Sequence, residues 1–68
     1  MKPSVYRITV RGRLSERFAS AFDGMTLHPS PGKTTLVGEL ADQSQLFGLL
    51  DRIRDFGLDL LSVEEVTR

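Results

Sequence analysis

Four arginines stand within the first 17 of 68 residues: Arg7, Arg11, Arg13 and Arg17. A guanidinium presents a rigid fork of N–H donors that fits carboxylate or phosphate, so the chemistry this cluster could do is anion capture. Arg7, Thr9 and Arg11 alternate with Tyr6, Ile8 and Val10, which puts the polar set on one face of a strand and the apolar set on the other. Arg13 and Arg17 are four apart near the start of an expected helix. A small anionic ligand could sit at the corner from Arg11 to Ser15, held by Arg13 and by the free N–H groups of a helix start. A nucleic-acid backbone is the other anion such charge attracts. It is disfavoured, because sheet-face readers of RNA stack bases on aromatic rings. Tyr6, the one aromatic residue of this strand, alternates away from the arginines.

The simpler expectation is that the arginines pair with Glu39 and Glu64 across neighbouring strands. Net charge is zero but unevenly spread. Residues 1–34 hold six cationic and two acidic side chains, and residues 35–68 hold three cationic and seven acidic ones. A sheet that interleaves the two halves would bring these opposite charges together. The alternatives are an exposed basic patch or self-attraction between copies.

Other chemistries find less support. His28 lies near Asp23 and Ser30, residue types that general-base catalysis uses. A working site needs a nucleophile, a base, an orienting group and oxyanion donors in contact, and one histidine beside a Pro-rich turn is more simply a surface residue. Asp51, Asp55 and Asp59 recur at helical spacing, but interleaved Arg52 and Arg54 point to a solvated, ion-paired helix face rather than a cation site. Pro31-Gly32-Lys33-Thr34-Thr35 looks like the tail of a phosphate-binding loop, yet Leu27 stands where the first glycine belongs, and a strand pattern follows instead of a helix. There is no cysteine, so thiolate sites and disulfides are excluded, and a lone His28 does not build a zinc site. No catalytic residue, cofactor or metal site is expected, and the chain reads as a non-enzyme.

The elements that must position these groups are marked by glycines. Val10-Arg11-Gly12-Arg13-Leu14 is echoed by Leu36-Val37-Gly38-Glu39-Leu40, and Phe22-Asp23-Gly24-Met25 by Asp55-Phe56-Gly57-Leu58. Each half reads as strand, Gly-x-Leu corner, amphipathic helix, Gly stop, strand. The spacing predicts strands over 5–11, 25–28, 33–40 and 58–66, with a hairpin turn at Pro29-Ser30-Pro31-Gly32. Leu36, Gly38 and Leu40 should point inward, and Thr35, Val37 and Glu39 outward. On the last strand Leu61 and Val63 share one face, and Leu60, Ser62 and Glu64 the other. A short helix over 15–22 would be capped by Ser15. A longer one would be capped by Asp42, with Gln45 as its capping-box partner, and would carry Leu46, Leu49, Leu50, Ile53 and Phe56 on its apolar face. Gly48 inside that helix suggests close approach of a strand or partner. Phe18, Phe22, Phe47 and Phe56 read most simply as core, although Phe47 sits off the centre of its stripe and could instead be an exposed anchor for a partner.

Two such halves joined by a hairpin make an α+β fold, the ferredoxin-like βαββαβ two-layer sandwich. Right-handed crossovers then give an antiparallel sheet of order 4-1-3-2, with both helices on one face.

The segments Gly12-Arg13-Leu14, Phe22-Asp23-Gly24-Met25, Thr34 through Gln43 and Leu46 through Val63 resemble a group of small, roughly 70-residue uncharacterised bacterial proteins, many of them actinobacterial. That resemblance implies a small stand-alone protein without naming a reaction. Members often carry His where this chain has Phe47, so any chemical role of such a His is lost here. More distantly, the strand-helix order is similar to ACT-like regulatory domains. These bind small ligands near the junction of first strand and first helix, and often pair through sheets or helices. The matching junction is Arg11 to Ser15, without the Asp-x-x-Gly character common in ACT domains, so the likeness is one of fold.

A single domain over 1–68 is expected. A domain of this size buries only about 60% of its unfolded-chain surface. Disulfides, metals or oligomerisation usually compensate, and self-association is the one left open here. No apolar stretch approaches a membrane span and the N-terminus lacks the apolar core of a secretory signal, so a cytoplasmic protein without membrane contact is expected. The chain thus reads as a binding and self-association module, a homodimer through its sheet face or strand edges. Arg7, Thr9, Arg11, Arg13, Ser15, Arg17, Val37 and Phe47 are the candidate interface or ligand residues.

Overall fold

The computed structural model describes residues 3–14, 18, 22 and 24–66 of the chain. Its elements are β1 (Ser4–Arg11), β2 (Met25–Ser30), β3 (Lys33–Leu40), α1 (Gln43–Asp55) and β4 (Leu60–Val66). The strands form one antiparallel sheet of order β2-β3-β1-β4, which is the expected 4-1-3-2 order seen from the other edge. The fold is α+β. The ferredoxin-like βαββαβ pattern is not what these elements form, because the described order is β1β2β3α1β4, with one helix. The helix expected over 15–22, with Ser15 as its cap and Arg17 within it, lies largely outside the described residues. What the structure describes there is two rings: Phe22 is fully buried and Phe18 packs half-buried against the core.

The core forms on one face of the sheet because alternation puts the apolar residues there. Ile8 and Val10 of β1, Leu36 and Leu40 of β3 and Met25 of β2 are buried against Leu49 and Ile53 of α1 and against Phe22. The inward set of β3 is the expected one, extended by Thr34, which is also fully buried. Gly38 sits mid-strand opposite Met25 on one side and Tyr6 on the other. The Gly-x-Leu echo therefore has two different meanings. Gly12 ends β1 with a positive φ of 91°, whereas Gly38 stays inside β3 and leaves room for β2. A Cβ there would meet the Gly24 carbonyl oxygen and Met25 Sδ at 2.5 Å.

α1 carries the end signals that its sequence advertises. Asp42 Oδ1 accepts from the Gln45 N–H at 2.8 Å, and Gln45 Oε1 accepts from the Ala41 N–H at 2.7 Å. The reciprocal bond thus reaches one residue further back than in a standard capping box. At the other end Leu58 N–H donates to Ile53 O and Gly57 N–H to Arg54 O, the paired bonds of a Schellman stop. Gly57 supplies the left-handed φ of 73° that this stop needs. Only Leu49 and Ile53 of the helix are fully buried. Phe56 is 46% exposed although its edge meets the rings of Phe18 and Phe22, with centroids 5.2 and 5.9 Å away. Among the described helices none is long and apolar enough to cross a membrane.

Candidate functional site

The sheet face opposite α1 carries the arginines of β1. The register aligns Thr26, Val37, Arg7 and Glu64 in one row across the four strands, and His28, Thr35, Thr9 and Ser62 in the next. Thr9 and Val37 are half-buried within these rows, and the Thr9 and Thr35 hydroxyls lie 3.5 Å apart. Arg7 reaches Glu64 at 3.9 Å and Arg11 reaches Asp59 at 3.6 Å. Each pair joins a cation from the first half of the chain to an acid from the second, as interleaving requires. Arg11 takes Asp59 rather than Glu39, because Glu39 stands opposite Val5, well along the strand. These side chains are roughly half or more exposed, and such pairs contribute about 0–1 kcal/mol each.

The corner after β1 is tied down by a residue that the arginine reading passes over. Thr34 Oγ1 accepts from the Leu14 N–H at 3.2 Å and donates to the Gly12 carbonyl at 2.9 Å. Gly12 N–H in turn donates to Gly32 O at 2.8 Å. The corner is thus clamped to the β2–β3 turn, and the N–H groups of Gly12 and Leu14 are occupied within the fold. Arg13 is exposed at the mouth of a groove of about 340 Å³ lined by Pro29, Ser30 and Pro31. Ser15 and Arg17, the remaining members of the expected anion corner, lie outside the described residues.

The two sheet edges differ. β2 carries Pro29, which has no N–H to offer a further strand, a common protection of edges. β4 has no proline and is exposed along nearly its whole length. Its register against β1 shifts between Thr9 and Val10, so that Leu60, not Leu61, stands opposite the buried Val10. That bulge corrects the expected alternation, in which Leu60 belonged with Ser62 and Glu64. Val63 pairs with the fully buried Ile8, yet itself stays 39% exposed, with Leu60 at 46% and Leu61 at 44%. The core layer therefore stops short of β4 and leaves an apolar strip beside an open edge.

One family profile, described as a domain of unknown function (DUF8691), matches residues 5–64. The chain belongs to this family. No curated protein and no solved structure matches it. In this DUF8691 domain the match begins inside β1 and ends inside β4, so it takes in the whole sheet core, the corner and the helix.

The remaining candidates of the DUF8691 domain are dispersed. His28 is exposed on β2 opposite Thr35, and Asp23 lies outside the described residues. Asp51 pairs with Arg54 at 3.3 Å, while Asp59 lies beyond the end of α1 beside Arg11. The aspartate series is therefore split between separate partners. Among the described residues no three His, Cys, Asp or Glu side chains gather where they could hold a metal ion. Pro31-Gly32 is a two-residue hairpin turn between β2 and β3, with Pro preceding a Gly of positive φ as type II turns prefer. Phe47 is 58% exposed on α1, which corrects its reading as core and follows from its place off the centre of the apolar stripe.

The alternation of β3 could have revealed Thr34. It shares parity with Leu36 and Leu40, so its hydroxyl had to enter the core and find partners there. Nothing in the sequence marked β4 as uncovered, because its apolar residues look the same whether or not a helix reaches them.

Proposed function

We propose that this chain is a non-enzymatic binding module that works by self-association, as a homodimer joined at the open edge of β4. The observation that carries this is the coincidence of an unprotected edge with three exposed large apolar side chains, Leu60, Leu61 and Val63. An edge strand offers unpaired N–H and C=O groups to another chain, and the apolar strip adds burial at about 25 cal/mol per Å². The small buried core of one copy is the kind that gains from a second. Residence in the cytoplasm, consistent with a chain that lacks cysteine, belongs to the same reading.

A second reading keeps the ACT-like likeness, with a small anion at Arg13. The groove between Arg13 and Ser30 favours it, while the occupied N–H groups of Gly12 and Leu14 weigh against it. Nucleic-acid binding stands lower still. The arginine face also carries Glu39 and Glu64 and, among the described residues, no Phe, Tyr or Trp ring.

The test is mass by light scattering after size exclusion across a dilution series. The expected result is twice the chain mass of 7.6 kDa at tens of micromolar, falling toward one chain for Leu61→Lys. A mass of one chain at every concentration would remove self-association, and with it this function.

A further inference from the structure

We propose that the groove along one flank of α1 binds a small organic carboxylate with an apolar body, held beside Gly48 with its charged end at Arg52. The site lies apart from the β4 edge and does not depend on self-association. Its helical wall follows from the period of α1. Gln45, Gly48, Leu49 and Arg52 recur at intervals of three and four residues, which puts them on one flank of the helix. Phe22, Met25 and Leu40 complete the groove, which measures about 320 Å³. That volume falls at the lower end of the range for small-molecule sites, about 300–1,000 Å³.

Two observations select this ligand. The first is the lining. Phe22, Met25, Leu40 and Leu49 all belong to the buried core, so an apolar body meets a packed apolar base. Among the described lining residues the one charged group is the Arg52 guanidinium, which suits an anionic head. The other grooves lack this combination: the one toward β4 carries Asp51 and Asp59 beside Arg54, and the one at Arg13 has no core side chain. Arg52 already has a partner within the fold, but its fork of five donors can take a carboxylate beside it. Gln45 Oε1 accepts from the Ala41 N–H, which leaves the amide NH2 as a second donor. The other observation is Gly48. A glycine inside a helix is destabilising relative to alanine, and no described residue comes within 4 Å of where its Cβ would stand. No described neighbour therefore requires glycine at this position. A side chain there would enter the groove, so the missing side chain is what keeps the groove open.

The chain has no tryptophan, so an indole acid reports its own binding. Indole-3-propionate is titrated with the full chain and followed by fluorescence anisotropy, with 3-methylindole as the neutral counterpart. The acid should bind with a Kd of roughly 0.1–1 mM, as the efficiency of so small a ligand allows. The neutral compound should bind at least about tenfold more weakly, for want of a charge-assisted bond. Arg52 is exposed, so Arg52→Gln tests the head without touching the core, and it should bring the acid down to the affinity of the neutral compound. Gly48→Leu should abolish binding of both while melting no lower than wild type, because leucine is the better helix former. Leu61→Lys on β4 should bind as wild type does. Unchanged anisotropy across the titration overturns the site. Binding that survives Gly48→Leu, or that Leu61→Lys removes, places the ligand elsewhere and also overturns it. Equal affinity for the acid and the neutral compound overturns the carboxylate.

Discussion

Gly38→Ala should unfold this domain more readily by about 2–3 kcal/mol, the upper range for overpacking a tight site. The added methyl would stand 2.5 Å from the Gly24 carbonyl oxygen and from Met25 Sδ, and 3.1 Å from Met25 Cα. Met25 Sδ could swing aside, but the Gly24 carbonyl and the Met25 Cα are backbone at the entry to β2, so relief requires the start of β2 to move off β3. A 68-residue domain has roughly 3–10 kcal/mol of stability in total, so the loss is a large fraction of it. The melting temperature should fall by about 10–20 °C, since each kcal/mol shifts a domain of this size by about 4–8 °C. Gly48→Ala makes the matched control. It sits inside α1 with no atom of the described residues within 4 Å of the new methyl, so the close approach anticipated there is not made by any described strand. That substitution should stabilise by about 0.5–1 kcal/mol through helix propensity. Thermal melts of the two variants therefore move in opposite directions. Equal melting temperatures would mean that β2 does not press on Gly38.

Thr34→Val should cost about 2–3 kcal/mol, although it preserves size and increases apolarity. The hydroxyl is the acceptor for Leu14 N–H and a donor to the Gly12 carbonyl, and a buried group left without its partner costs about 1–3 kcal/mol. Thr34→Ser keeps the hydroxyl and loses one methyl group, so it should cost only about 1 kcal/mol. Urea titrations of the three proteins give the ordering wild type, Ser, Val. The Leu14 amide should exchange faster in the Val variant alone. A Val variant as stable as wild type would show that water takes over both groups and that the clamp does not hold the corner.

Much of the sheet was legible because alternation is a local signal. Tyr6, Ile8 and Val10 against Arg7, Thr9 and Arg11 marked the faces of β1, and the Pro31-Gly32 turn marked the hairpin, whereas the strand order followed from the right-handed crossovers of a βαββαβ plan that the described elements do not form. α1 was legible from Asp42, Gln45 and Gly57, each acting within a few residues of itself. The internal echo was less reliable. A glycine flanked by Leu marks both the end of β1 at Gly12 and the interior of β3 at Gly38, because freedom at φ and absence of a side chain are separate properties of one residue. The ion pairs were legible in kind but not in partner. Asp59 lies in the connection after α1, and its approach to Arg11 depends on where that connection enters β4. The bulge opposite Val10 and the exposure of Leu60, Leu61 and Val63 were not legible, since both depend on how far the α1 layer extends over the sheet. Those tertiary features are the ones on which the proposed interface depends.

The central claim is that β4 is the edge where this chain meets its own copy, and amide hydrogen exchange at two protein concentrations tests it most directly. Between low and high micromolar protein, the amides of residues 60–66 that β1 does not use should gain protection. Those of residues 25–30 on the β2 edge should not change. Protection that rises on β2 instead, or on neither edge while the mass doubles, would contradict it.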